Sequence, residues 1–369
     1  MASNRRIQDA DVKGSADVTS DARLINDTKI YVSSLSKRLD QAVSAGDFSG
    51  GATARNFLFN GAFDIWQRGT SVTVANGATG YQADRWYANN SLGTNGVLTF
   101  SRVAGTTAGA LYAAKVQITT APTAAQTNGT QLLQTLDNLS SQDLFGKSVS
   151  GSAYVKAFGN VNQIGIAIMY KTSEAKVDTV LGSESLVTVN SSTFTLASVL
   201  NQAVGTTPTS AGVVGFRIRI TGVSSGNTYD LNNGFSVELA CLNIGATAAT
   251  FSRQAGSSQA ELDACQRFYE KSYSQGTAPG SVTTAGQALD VSPAGTYRHW
   301  VYYKSTKRTA SNTTTLYSPD TGASGKIRDN GSTDVTPSIL DNSDNGFRFT
   351  ATVSSLDTVA WHYTAEDEI

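Results

Sequence analysis

From Asn56 onward the chain is a succession of short alternating runs, and that period restricts it to β structure. The runs fall at Ser71–Val74, Gly96–Val103, Ala113–Thr119, Ser148–Ala157, Gln163–Tyr170, Ser192–Leu196, Gly212–Thr221 and Gly234–Ile244. Gly, Asn and Ser clusters separate them, and many short strands between such turn signals predict a β-sandwich. In Val213–Val223, Phe216, Ile218 and Ile220 alternate with Arg217 and Arg219, which predicts one inward and one outward face. Gln163–Tyr170 is apolar on both faces, as suits a central strand. Composition agrees. Charged residues are 15% of the chain, against about 25% in ordinary soluble domains. Ser, Thr, Asn and Gln carry the polarity instead, and 34 Gly supply turns.

A length of 369 residues predicts two or three units. The net charge of −1 leaves no basic footprint for nucleic acid or for an anionic membrane surface. Cys241 and Cys265 form no CxxC pair, and there are only two His, so no zinc constellation and no disulfide framework can be drawn. No cofactor and no metal are expected. The opening MASNRRIQDADVKG holds no apolar run of signal-peptide length, and no stretch reaches the length of a membrane span. The expectation is synthesis in the cytoplasm without signal-dependent export.

Three segments follow. Residues 1–52 are read as a docking arm and helix, 53–256 as a jelly-roll-like sandwich, and 257–369 as a helix plus a smaller C-terminal β-domain. In the first segment Ile25, Val32 and Leu39 are seven apart, and Thr28, Leu35 and Ala42 form a second series offset by three. These are the a and d positions of heptads, with Asp21 and Gly46 as caps. The same spacing also fits an amphipathic helix packed on its own globule. Residues 46–55 read as a glycine-rich hinge. Residues 257–273 read as a second helix, with Ser258 and Glu261 as a capping box.

Four strings stand out: Asn56-Phe57-Leu58-Phe59-Asn60-Gly61-Ala62-Phe63-Asp64-Ile65-Trp66-Gln67-Arg68-Gly69; Ala83-Asp84-Arg85-Trp86; Cys265-Gln266-Arg267-Phe268-Tyr269; and Trp361-His362-Tyr363-Thr364-Ala365-Glu366-Asp367-Glu368-Ile369. Read physically, Asn60-Gly61 is a tight-turn signal, and the aromatic residues around it alternate into a sheet core. Arg68 is placed to pair with Asp64, and Asp84-Arg85 to add to that pair. Trp66 and Trp86 read as core, with sugar stacking as the alternative. Together the strings resemble a family of bacteriophage virion proteins that carry a carbohydrate-binding-module-like jelly roll. The resemblance spans roughly residues 56–369. It implies a homotrimer on the virion surface, docked to another virion protein through residues 1–50. The sequence departs from the family at Phe268, where Tyr is usual, and at Asn243, where an acid is usual.

The resemblance leads to an adhesive fibre or spike that binds a host surface glycan. A purely structural head fibre or fibre adaptor is the alternative, and a glycan hydrolase ranks last. No GxSxG, HExxH or P-loop string occurs, and His299 and His362 lie in aromatic β-runs where a packed His is expected. Asp341–Gly346 looks like the start of a calcium loop, but Thr352 stands where the twelfth-position Glu is needed, so it reads as a hairpin turn. The ligand platform is placed on Trp300, Tyr302 and Lys304, which period two sends to one face. The competing reading of that face is a subunit interface.

Overall fold

A computed structural model describes residues 54–123, 130–205, 212–329, 333–354 and 357–369. The heptad positions Ile25, Thr28, Val32, Leu35, Leu39 and Ala42, and the docking arm around them, lie outside the described residues.

The chain forms strands β1 (Ser71–Ala75), β2 (Thr79–Tyr81), β3 (Tyr87–Asn90), β4 (Val97–Ala104), β5 (Tyr112–Thr120), β6 (Thr130–Thr135), β7 (Ser148–Phe158), β8 (Val161–Lys171), β9 (Thr179–Val180), β10 (Ser185–Thr188), β11 (Thr195–Ala203), β12 (Val213–Val223) and β13 (Gly234–Ile244). They build two antiparallel sheets. The first is ordered β1-β4-β5-β13-β7-β11, the second β10-β8-β12-β6-β3-β2 with β9 on β8. β13 sits between β5 and β7, and β12 between β6 and β8, so the chain passes repeatedly from one sheet to the other. This is a jelly-roll-like sandwich.

The inner faces carry Phe100, Val116, Val155 and Phe235 from the first sheet and Leu132, Ile166, Phe216 and Ile218 from the second, all fully buried. Gly151 is required beneath Phe216, whose ring occupies the place a Cβ would take. Phe216, Ile218 and Ile220 point inward as expected. Arg217 and Arg219 point the other way and together hold Glu184. β8 is covered on its other face too, where Ala167 and Met169 join Tyr87, Leu133, Val177 and Val213 in a smaller cluster.

The alternation did not mark β2, β3, β6, β9 and β10. Thr130–Thr135 is buried at every position, Leu132 in the main core and Leu133 in the smaller cluster. A strand with two covered faces has no period to read.

The helix at Ser258–Gln266 is shorter than expected. Ser257, rather than Ser258, caps it by accepting from the Ala260 N–H at 3.2 Å. Glu261 does not close a capping box; it is buried and accepts from the Asn60 N–H. The chain leaves the helix because its next residues pair elsewhere. β14 (Tyr269–Lys271) is hydrogen-bonded to the last strand, β22 (Asp357–Glu366). Along the way come β15 (Ala288–Ser292), β16 (Gly295–Tyr302), β17 (Thr313–Tyr317), β18 (Ile327–Asp329), β19 (Thr333–Val335), β20 (Ser338–Asn342) and β21 (Gly346–Val353). β15, β17 and β18 also pair with β22, while β16, β21 and β20 make a separate sheet. Its inner residues Tyr297, Val301, Phe347 and Phe349 pack with Trp361 and Tyr363 of β22 into a second core. The Asp341–Gly346 segment is the β20–β21 hairpin turn, closed by the Ser343 N–H on the Gly346 carbonyl at 2.9 Å.

Candidate functional site

The four strings that stand out in the sequence meet in one buried polar network. Asn56 is wholly buried, accepts from the Leu58 and Leu242 amides and donates to the Ala240 and Ser252 carbonyls. Asn60 adopts a positive φ of 49° and bonds both backbone atoms of Ile65. These two side chains replace sheet hydrogen bonds, so Phe57–Trp66 is a buried loop and not the strand pair that Asn60-Gly61 suggested. Gly61 lies against the Ala240 carbonyl, where a Cβ would not fit. Trp66 and Trp86 are core residues, 5% and 0% exposed, each with its indole N–H on a backbone carbonyl of the loop. Neither face is open to a sugar.

Arg68 does not pair with Asp64, which takes Arg253 instead. The chain carries Arg68 toward the helix exit, where its guanidinium lies 3.7 Å from the centre of the Tyr269 ring. It reaches Glu368 at 3.2 Å, Glu366 at 3.4 Å and Asp84 at 3.8 Å. Arg85 stacks 3.6 Å from the Phe268 ring centre, donates to the Thr135 carbonyl and pairs with Glu368. Asp84 accepts from the backbone and side chain of Gln67. Burial pushes its carboxyl up to about 6, against the opposing pull of Arg68 and Gln67. Burial works against the Arg68 cation as well, yet Glu368, Glu366 and Asp84 outweigh it and hold the pKa above its ordinary value. Every charge here faces an opposite one; Asp84 and Arg85 are buried, and Glu366 lies at the exposed edge. The network is a clasp that fastens the helix exit and the end of β22 to the sandwich.

Both His are packed. His362 stacks on Tyr273 with ring centres 3.8 Å apart and bonds the Ser272 hydroxyl, and burial lowers its pKa. His299 bonds Asp290 at 3.1 Å and abuts Trp361. Cys241 and Cys265 are buried free thiols. Among the described residues no group of three or more His, Cys, Asp or Glu could hold a metal ion.

Of the predicted platform, Trp300 and Tyr302 lie side by side on the outer face of the β16–β21–β20 sheet, ring centres 6.0 Å apart. Tyr302 is 75% exposed. Trp300 is half-buried, and its indole N–H has no partner among the described residues. Lys304 does not extend this face. β16 ends at Tyr302 because the Lys304 amide donates to the Glu270 carboxylate at 3.1 Å, not to a neighbouring strand. Its ammonium turns to the Lys271 carbonyl at 2.7 Å.

A cleft on the outer face of the first sheet had no signal in the sequence. Its volume is about 480 Å³, and Tyr154, Leu196, Leu239 and Phe251 line it together with the Thr107 and Ser152 positions. Its walls are built by buried polar side chains. Glu238, wholly buried, accepts from the Thr106 and Thr107 amides at 2.7 and 3.0 Å and pins the β4–β5 loop. Asn243 accepts from the Ala249 amide and donates to the Ile244 and Thr247 carbonyls, fixing the segment that leads to Thr250-Phe251. At this position the Asn works as a loop tie. A register shift between Glu238 and Cys241 puts Leu239 at a φ of 50° and turns it into the cleft. The lining holds aromatic and aliphatic surface with hydroxyls and no carboxylate, His or Cys. Such a surface can bind a polar ring, and it has no pair of groups for acid–base cleavage.

No family model and no curated protein matches the chain. Among solved structures it is similar to the N-terminal CBM22-1–CBM22-2 tandem domain of Paenibacillus barcinonensis Xyn10C, with 10% identity, 86% of this chain and 92% of that chain covered, and a TM-score of 0.31. It is similar also to the C-terminal family 22 carbohydrate binding module of Clostridium thermocellum Xyn10B (9% identity, 44% and 88% covered, TM-score 0.28). The enzymatically active domain of bacteriophage CBA120 tailspike protein 4 gives 8% identity and a TM-score of 0.29, over 52% of this chain and 21% of that chain.

Proposed function

We propose that the protein is a non-catalytic, glycan-binding subunit of a bacteriophage surface appendage, a fibre or spike. The observation that carries the binding half is the cleft over the first sheet. Tyr154 and Phe251 offer ring surface, Leu196 and Leu239 offer aliphatic surface, and Thr107 and Ser152 offer hydroxyls, all held by Glu238 and Asn243. A pyranose, with one apolar face and a rim of hydroxyls, matches that lining. The virion half rests on the four strings and their resemblance to virion proteins. On this reading the chain is a homotrimer docked through residues 1–50, with host surface glycan as its partner.

Fluorescently labelled protein tests both halves. It should bind host cells, and isolated surface polysaccharide should compete it off; antibodies raised against it should decorate purified particles. Failure to bind any host polysaccharide removes the adhesin, and absence from the particle removes the appendage. A second reading places the contact at Trp300 and Tyr302, which the 75% exposure of Tyr302 favours.

A further inference from the structure

Along β7 the outward residues are Ser152, Tyr154, Lys156 and Phe158. The first two line the cleft. Lys156 stands one outward position further on, about 7 Å along the strand. In the same row, Ser236 of β13 lies directly between Lys156 of β7 and Lys115 of β5. Both ammoniums collect at one aromatic ring. Lys115 Nζ is 4.6 Å from the Phe158 centre and Lys156 Nζ 5.7 Å, with Phe194 4.9 Å from the latter.

Three features make this row unusual. Among the described residues neither lysine has a carboxylate partner; the ion pairs of this chain lie elsewhere. The nearest acid in the row pattern, Glu238, is turned into the Thr106 and Thr107 amides. Ser236 is 1% exposed, and its hydroxyl has no hydrogen-bond partner among the described residues. A buried hydroxyl without a partner is destabilising, and two like charges held at one ring repel. Burial and the Lys156 charge both lower the pKa of Lys115. An anion seated on the row would relieve all three: it would accept from both ammoniums and from the Ser236 hydroxyl.

We infer that Lys115, Ser236 and Lys156 form an anion subsite adjoining the cleft, so that the glycan bound here carries a carboxylate, sulfate or phosphate on a sugar next to the one in the cleft. This rests on the glycan-binding reading above and narrows it to acidic polysaccharides. Phe158 and Phe194 position the ammoniums through their ring faces.

The test is a titration of the full chain with polygalacturonate, dextran sulfate, inorganic phosphate and neutral dextran, at low and at high salt. Wild type should bind at least one of the three anionic probes more tightly than neutral dextran, and that preference should fade as salt screens it. Which probe binds tells carboxylate from sulfate from phosphate. The Lys115→Gln, Lys156→Gln double variant should lose about tenfold or more in affinity for the anionic probe. Ser236→Ala should lose severalfold in that affinity while melting no lower than wild type. Equal affinity of the double variant and wild type for the anionic probe overturns the subsite. So does wild-type binding of host polysaccharide with no preference for any anionic probe, which leaves the glycan reading standing. Absence of binding to every polysaccharide overturns both.

Discussion

The clasp and the outer face of the first sheet use charge in opposite ways. In the clasp Arg85 is buried against Phe268 and Arg68 is half-buried against Tyr269, and each faces a carboxylate. On the sheet, Lys115 and Lys156 are also set against an aromatic ring, but among the described residues no carboxylate answers them. Paired and buried charge fixes chain to chain; on the proposed reading the unpaired charge beside the cleft meets a ligand instead. The residues most conspicuous in the sequence belong to the first kind. Those proposed to meet a ligand sit in strings without any signature.

That contrast can be broken most forcefully at the clasp. Glu368→Ala leaves Arg85 buried without its partner, and unpairing a buried ion pair costs about 3–5 kcal/mol. Denaturant unfolding should record that loss, and a loss under 1 kcal/mol would mean the clasp is not a fastening. Trp86→Ala empties a fully buried site packed against Phe63 and Phe216, and should cost about 3–5 kcal/mol by the same measurement. A Trp86 change that lowers glycan binding without lowering stability would move this residue from core to site.

A smaller effect is expected with pH. The native Asp84 carboxyl holds its proton to about 6, against 3.8 for the free group. The folded state therefore binds more protons between those values, and this group's contribution to stability grows as pH falls from above 6 toward 4. The melting temperature of wild type should rise relative to that of Asp84→Asn as pH falls over that range; parallel curves would contradict it. Smallest of all, Trp300→Ala or Tyr302→Ala should shift stability by less than about 1 kcal/mol, because the outer face of that sheet supports no core. Sedimentation of the same variants separates the two readings of the face. An intact oligomer with weakened host binding supports a platform, and dissociation supports an interface.

Much of the fold was legible because its strands have one wet face. The run at Val213–Val223 declared its inner residues, and β13 was read to its ends. β6 stayed hidden since Leu132 and Leu133 are buried on opposite faces. The helix boundary was misread because Glu261 answers Asn60, which lies 201 residues away in sequence, and no local pattern reports that. The same holds for the clasp: Arg68 chooses Glu368 over Asp64 only once β22 is in place. The aromatic run at β16 correctly put Trp300 and Tyr302 on one face, and failed at Lys304, where Glu270 captures the backbone. The cleft was illegible for a simpler reason. Tyr154, Leu239 and Phe251 are brought together by three separate segments, and only a register shift in β13 turns Leu239 outward.

The most direct measurement is a calorimetric titration of wild type and Tyr154→Ala with host surface polysaccharide, with melting recorded on the same samples. Tyr154 lines the cleft and is absent from the buried core. The account predicts about tenfold or greater loss of affinity, ~1.4 kcal/mol or more, with the melting temperature unchanged. Full affinity in the Tyr154→Ala protein would contradict it.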